Sequence, residues 1–220
     1  HEHCGEAGAI GAALEAGPGL GLFGGLAVAG LVFPVGFVFV ILGRSELFTE
    51  NFLIPVAAVI SRRHRVRELT ELWALSWIGN ILGCAGMAAI ISIPEAIGDP
   101  VKHGLAVYTD YKLGVSPLGT LVSAVLAGIT MTILTWLVVA VRPIGAKVVA
   151  IVSAGYILFA INLAHTVVGA ALIFAGWHDA GRSLVDVARW LALATAGNLL
   201  GGVAFVTAFR VIQGQEKART

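Results

Sequence analysis

The stretch GRSELFTENF, residues 43–52, places Arg44, Glu46 and Glu50 in the middle of a segment that is otherwise almost wholly apolar from residue 20 to residue 60. A bilayer core is about 30 Å thick and needs roughly 20 apolar residues to cross as a helix. Residues 20–43 meet that length and residues 52–60 do not, so the second piece is read as a half-helix. The decapeptide is then a break at membrane depth, and non-helical chain survives there only where protein buries it or a cavity wets it. A plain surface loop between two helices is the alternative. Against it stand the shortness of 52–60 and the arginine-rich run that soon follows.

The rest of the chain fits a membrane reading. Of 220 residues 58% are hydrophobic and 12% charged, which departs from the soluble balance and makes the long apolar runs spans rather than core helices. The net charge of +1 gives no ground for a nucleic-acid partner. Cys4 and Cys84 are far apart, and neither a disulfide nor a redox motif is expected. His1, Glu2, His3 and Cys4 could bind a metal, but ligands so close together at a terminus are more often solvated, and no metal site is expected. The apolar run 7–14 is too short to span, so either a leading segment is missing or this stretch is the remainder of a first helix.

Charge placement orients the spans. The run RRHRVRE, residues 62–68, marks a cytoplasmic loop by the positive-inside rule, and a span follows over 69–93. Residues 94–117 read as an outside linker in which His103, Asp110 and Lys112 meet water. A span over 118–141 returns to a second cytoplasmic turn marked by Arg142 and Lys147. Residues 146–177 are again too long for one helix and carry Asn162, His165 and Thr166 at their centre. The last span, 184–212, ends in a tail with Lys217 and Arg219, so the C-terminus is expected in the cytoplasm.

WIGNILG (77–83) and TAGNLLG (195–201) match in register, with Asn80 and Asn198 118 positions apart. The polar breaks recur at nearly the same offset, Thr49 lying 31 residues before Asn80 and His165 33 before Asn198. These matches predict a single domain over 1–220 made of two three-span repeats, about 5–93 and 117–213. Because an odd number of spans separates equivalent points, the halves are inverted relative to each other. The expected fold is an all-α integral membrane protein of six spans with two broken helices, the first span only partly present.

SELFTEN, LAHTVVG and AGNLLGG together resemble the loop of the second helix, the break of the fifth and the Gly-Asn signature of the sixth in the formate/nitrite transporters. The resemblance covers the chain after residue 17 and implies an aquaporin-like fold, assembly as a homopentamer and one pore per subunit in a cell inner membrane. By that resemblance His165 is the central pore histidine and Thr49 the loop threonine sharing its hydrogen-bond network. Phe33, Phe37, Phe48 and Leu158 fall at the hydrophobic constrictions, although without the resemblance ordinary packing is the better reading of the phenylalanines. Asn198 matches the sixth-helix asparagine. The chain departs from the family at Ala164, where a glutamate is usual, at Thr132, where an asparagine is usual, and near Ser116, where a lysine is usual and Lys112 is a loose substitute. It is closer to a branch reading GRxxLFTEN.

Arg44, held by Glu46 or Glu50, is expected to brace the first break, because charge at that depth cannot face lipid. The expected function is a channel or transporter for small monovalent weak acids or anions, formate and nitrite being the family's cargo, with proton exchange at His165. A pore for another small neutral solute, or a closed membrane scaffold, remains open. No cluster of ligands and no acid–base pair argues for an enzyme or a cofactor.

Overall fold

The computed structural model describes residues 34–217, with side chains through Ala208, and every regular element in that range is helical. Phe33 and the first expected span lie outside the described residues. The elements are α1 (Pro34–Leu42), a 3-10 turn (Phe48–Glu50), α2 (Ile54–Ile60), α3 (Val66–Ile91), α4 (Asp99–Gly114), α5 (Pro117–Ala140), α6 (Ile144–Ala160), α7 (Thr166–Ala180) and α8 (Leu184–Lys217). Of these, α3, α5 and α8 over Leu184–Ala208 are long and apolar enough to cross a bilayer unaided. The pairs α1–α2 and α6–α7 are the two broken crossings, and the chain is a multi-pass membrane protein of two inverted halves.

The breaks are built alike, residue for residue. At the end of α1, Arg44 N donates to Ile41 O (3.2 Å) and Ser45 N to Val40 O (2.9 Å). At the end of α6, Asn162 N donates to Phe159 O (2.9 Å) and Leu163 N to Leu158 O (2.9 Å). Both are Schellman ends, which require a left-handed residue at the turn. Arg44 (φ 55°) and Asn162 (φ 53°) supply it. Each of these positions in the first half lies 118 residues before its partner in the second, the same offset as Asn80 to Asn198. On this register Trp77 and Thr195 are also equivalents, and Trp77 Nε1 donates to Thr195 Oγ1 at 3.0 Å, so the halves touch through matching positions.

Small residues bring the crossings together. A Cβ on Gly128 of α5 would collide with the Asn198 backbone of α8, and one on Gly201 of α8 with the Val125 carbonyl of α5. Close backbone approach at such residues is the usual means of helix association where lipid leaves no hydrophobic drive between helices. Gly202 of α8 likewise makes room for the ring of Phe52.

One segment departs from expectation. The stretch read as an outside linker contains α4, a helix of 16 residues whose buried face carries Leu105, Tyr108, Thr109, Lys112 and Leu113. It packs on α7, where Gly176 would, with a Cβ, strike the Leu105 carbonyl. Lys112, expected to meet water, is 3% exposed.

Candidate functional site

Each break returns toward its partner through an asparagine on the next long helix. Asn80 of α3 accepts from Phe48 N at its Oδ1 (2.8 Å) and donates from Nδ2 to Glu46 O (2.9 Å). Asn198 of α8 accepts at Oδ1 from Thr166 N (2.9 Å) and donates from Nδ2 to Ala164 O (2.9 Å). These are the same two backbone positions in each repeat. The second clamp is more complete: Thr166 Oγ1 also donates to Asn198 Oδ1 (3.0 Å), and Asn198 Nδ2 also donates to Ala124 O (2.8 Å). Buried backbone polar groups need partners, and a side-chain amide supplies both a donor and an acceptor to chain that has left its helix.

The clamps bring the breaks face to face. Thr49 Oγ1 and His165 Nε2 are 2.8 Å apart, with Thr49 0% and His165 2% exposed. His165 is also the N-cap of α7, its Nδ1 accepting from Val168 N at 3.2 Å. A nitrogen that accepts from an amide bears no proton, so the neutral ring carries its hydrogen on Nε2 and donates it to Thr49. The threonine hydroxyl hydrogen is then available to another acceptor. Phe37 of α1 stands edge-on to the imidazole, with ring centroids 5.8 Å apart.

The other expected residues divide between wall and frame. Phe37, Phe48 and Leu158 are all buried, Phe37 and Leu158 in one apolar cluster with Met131 and Ile151, and Phe48 edge-on to Phe52 at 5.2 Å. Thr132 is fully buried in α5 and donates its hydroxyl to Gly128 O at 2.9 Å, within its own helix. Asn198 uses both ends of its amide on protein groups, which makes it a frame for the break. Ala164, at the place of the family's glutamate, is buried and donates its backbone N–H to Ser123 Oγ at 3.0 Å.

Two residues behave differently from their sequence reading. The expected ion pair of Arg44 to Glu46 or Glu50 is not formed; Arg44 is exposed, and its contribution to the break is the left-handed backbone turn. Glu46 Oε2 instead accepts from Asn51 Nδ2 at 3.2 Å, and Glu50 is half-buried. Trp73 Nε1 fixes the far end of the loop by donating to Asn51 O at 3.0 Å. Lys112 reaches the second break, Nζ donating to Asn162 O (2.7 Å) and Leu163 O (3.4 Å). A cation just past the C-terminal end of α6 meets the carbonyls of the break and the negative end of the helix dipole, which accounts for a buried ammonium beside carbonyl partners. Asn80 was visible in the repeated motif, yet its role depends on which backbone groups the break leaves unpaired.

The family described as "Formate/nitrite transporter" matches residues 7–212. An uncharacterized transporter of Bacillus subtilis, YrhG, is 28% identical over 201 residues, covering 88% of this chain and 73% of its own. The probable formate transporter of Methanothermobacter thermautotrophicus is 31% identical over 123 residues, covering 54% of this chain and 43% of its own. The inner membrane protein YfdC of Escherichia coli is 29% identical over 191 residues, covering 83% of this chain and 59% of its own. The chain thus spans less than two thirds of the last two relatives. Among solved structures, a pentameric formate channel with formate bound superimposes with a TM-score of 0.76 at 17% identity, covering 94% of this chain and 90% of that one. An FNT family ion channel gives 0.79 at 20% identity, covering 96% and 89%. These two likenesses fix the fold.

Proposed function

The chain belongs to the formate/nitrite transporter family, and from that premise we propose that it passes small monovalent weak acids of the formate and nitrite type through a pore at the meeting of its two breaks. The observation that carries the reading is the buried hydrogen bond between Thr49 and His165 under the Phe37 ring. In this reading Phe37, Phe48 and Leu158 form the apolar constrictions, and the subunit works in a homopentamer of a cell inner membrane with its C-terminus in the cytoplasm. The relatives' names and the pentameric formate channel support that assembly and that cargo class.

Energetics favour crossing as the neutral acid. A carboxylic acid with a pKa near that of aspartate is protonated at pH 7 for about 4 kcal/mol, whereas stripping an ion of water costs several to about 20 kcal/mol. The proton can come through Thr49. An imidazolium passes its Nε2 hydrogen to Thr49 Oγ as the threonine hydroxyl hydrogen goes to the cargo oxygen. That leaves the Nδ1–H tautomer, with Nε2 accepting from the Thr49 hydroxyl, and the ring returns to the form whose Nδ1 accepts from Val168 N when it exchanges its Nδ1 hydrogen for one on Nε2. Both the charged ring and this tautomer hold hydrogen on Nδ1 and forgo the Val168 bond, worth about 1 kcal/mol, which is recovered only on return to the Nε2–H form. Proteoliposomes should show formate or nitrite flux that rises as pH falls and that His165→Ala strongly reduces. Flux absent at every pH, or untouched by His165→Ala, removes this reading.

Glu46 and Glu50, flanking Thr49, favour a second reading in which the cargo is a small neutral solute, because carboxylates near a pore repel anions. A flux screen that includes neutral solutes separates the two.

A further inference from the structure

Away from the breaks, α2 has only seven residues and buries just Val56 and Ala57, so much of its surface lacks a protein partner. Between it and the first turns of α3 lies a cavity of about 310 Å³ whose apolar lining includes Ile54, Ala58, Leu69 and Leu72, with His64 and Glu68 at its polar edge. Ile54 in its lining is 56% exposed, and Val66, the first residue of α3, is 63% exposed. The turn that closes one end of the cavity is the arginine run: Arg63 N donates to the carbonyl of Ala58, and Arg62 N to that of Val59.

The charges of that turn are unevenly matched. Glu68 is taken up by His64 (2.9 Å) and Glu71 by Arg67 (2.7 Å). Arg62, Arg63 and Arg65 make none of the ion pairs found among the described residues. Since α3 begins at Val66 and spans the bilayer, these three guanidinium groups sit where a spanning helix leaves the hydrocarbon. An occupant that suits both parts of the feature has an apolar body and a negative head. The membrane itself supplies one.

We propose that the groove between α2 and α3 is a binding site for one anionic phospholipid, an acyl chain lying along Ile54, Ala58, Leu69 and Leu72 and the phosphate held among Arg62, Arg63 and Arg65. Arginine suits the task because its planar fork matches phosphate oxygens, and basic clusters beside spanning helices attract anionic headgroups. The lipid covers the open face of the half-helix that leads into the Thr49 loop. Trp73, one residue along from Leu72, packs edge-on to Phe52 at 6.0 Å, and Phe52 packs on Phe48, so the groove adjoins the wall of the first break. The site rests on the membrane placement of α3 and is independent of what the pore carries.

The experiment uses the full chain purified in mild detergent. Native mass spectrometry with added phosphatidylglycerol or phosphatidylcholine should show retention of the anionic lipid at least five-fold above the zwitterionic one. Phosphatidylglycerol with a photoreactive acyl chain should label peptides within residues 54–72 of the unaltered protein. The combined Arg62→Gln, Arg63→Gln, Arg65→Gln variant should lose the five-fold preference, and Ala58→Phe should reduce retention of both lipids. Equal retention of the two lipids by the unaltered chain, labelling that falls elsewhere, or variants that retain lipid as the parent does would each overturn the site. So would cross-links from an Ala58→Cys chain that run to residues 1–33 or to a second copy, since either would then be the groove's occupant. The labelling step needs no variant, so a poorly folding substitution leaves the site open to refutation.

Discussion

Replacing Asn198 by alanine is the sharpest test of the clamp. The side chain is fully buried and makes four hydrogen bonds, accepting from Thr166 N and Oγ1 and donating to Ala124 O and Ala164 O. Side-chain hydrogen bonds within membrane proteins are worth about 0.6 kcal/mol each on average, which gives about 2.4 kcal/mol for four. Thr166 N–H and Ala164 C=O, left without the amide, add toward the roughly 1–3 kcal/mol of an orphaned buried group, so a loss of about 3–5 kcal/mol is expected. Asn80→Ala removes two bonds at a half-buried site where water can replace them, and about 1 kcal/mol is expected. Unfolding of both variants by SDS titration in mixed micelles, followed by circular dichroism, measures the difference. A double-mutant cycle of Asn198→Ala with Thr166→Val should then return a coupling of about 0.5–1 kcal/mol for their shared bond. Equal losses for the two asparagines, or an Asn198→Ala chain within 1 kcal/mol of the parent, would refute the clamp as the element that holds the second break.

Gly128→Ala should destabilise the chain by about 1–3 kcal/mol, because the added methyl meets the Asn198 backbone. Gly86→Ala, with nothing within 4 Å of the new methyl, should be neutral or stabilising by up to about 1 kcal/mol in the same titration. Lys112→Met removes the donor to the Asn162 and Leu163 carbonyls and should lower stability by about 1–3 kcal/mol. A methionine variant as stable as the parent would show that shedding a buried charge offsets the lost bonds. Arg44→Gln should change stability by less than about 0.5 kcal/mol, since no ion pair to Glu46 or Glu50 is lost; unfolding of this variant would show that the guanidinium braces the loop after all.

The breaks were readable because membrane chemistry penalises charge and non-helical backbone severely, so a charged decapeptide between a full span and a half-span admits few arrangements. The repeat was readable for a similar reason: a Gly-Asn pair inside an apolar helix is rare enough for two copies in register to carry information. What failed was the linker before α5. Its Asp, Lys, Pro and Gly residues averaged to a loop, although Leu105, Tyr108, Lys112 and Leu113 recur at helical spacing and could have revealed a buried face. Arg44 misled in the opposite way. Charge logic asked for a partner, while the structure uses the residue for its backbone turn, and a left-handed position filled by a residue other than glycine or asparagine leaves no mark in the sequence.

Built on one plan, the two breaks are unequally supported, and that inequality has a dynamic consequence. The second break is held by a fully buried asparagine with four bonds, by the histidine cap of α7 and by Lys112 on its exit carbonyls. The first has a half-buried asparagine with two bonds, the Trp73 bond to Asn51 O, and a left-handed arginine, a conformation that costs an ordinary side chain about 1–2 kcal/mol. Local opening draws on the less stable segments of a fold, so motion at the site belongs to residues 43–52 while His165 stays fixed. The amides of Phe48 and Thr166, each bonded to its clamp, report on this directly. Hydrogen exchange should be faster at Phe48 by roughly the tenfold that 1.4 kcal/mol provides, and closer to that at Thr166 once Asn198 is replaced. Equal protection of the two amides in the parent chain would mean that something other than the clamps sets the stiffness of the breaks.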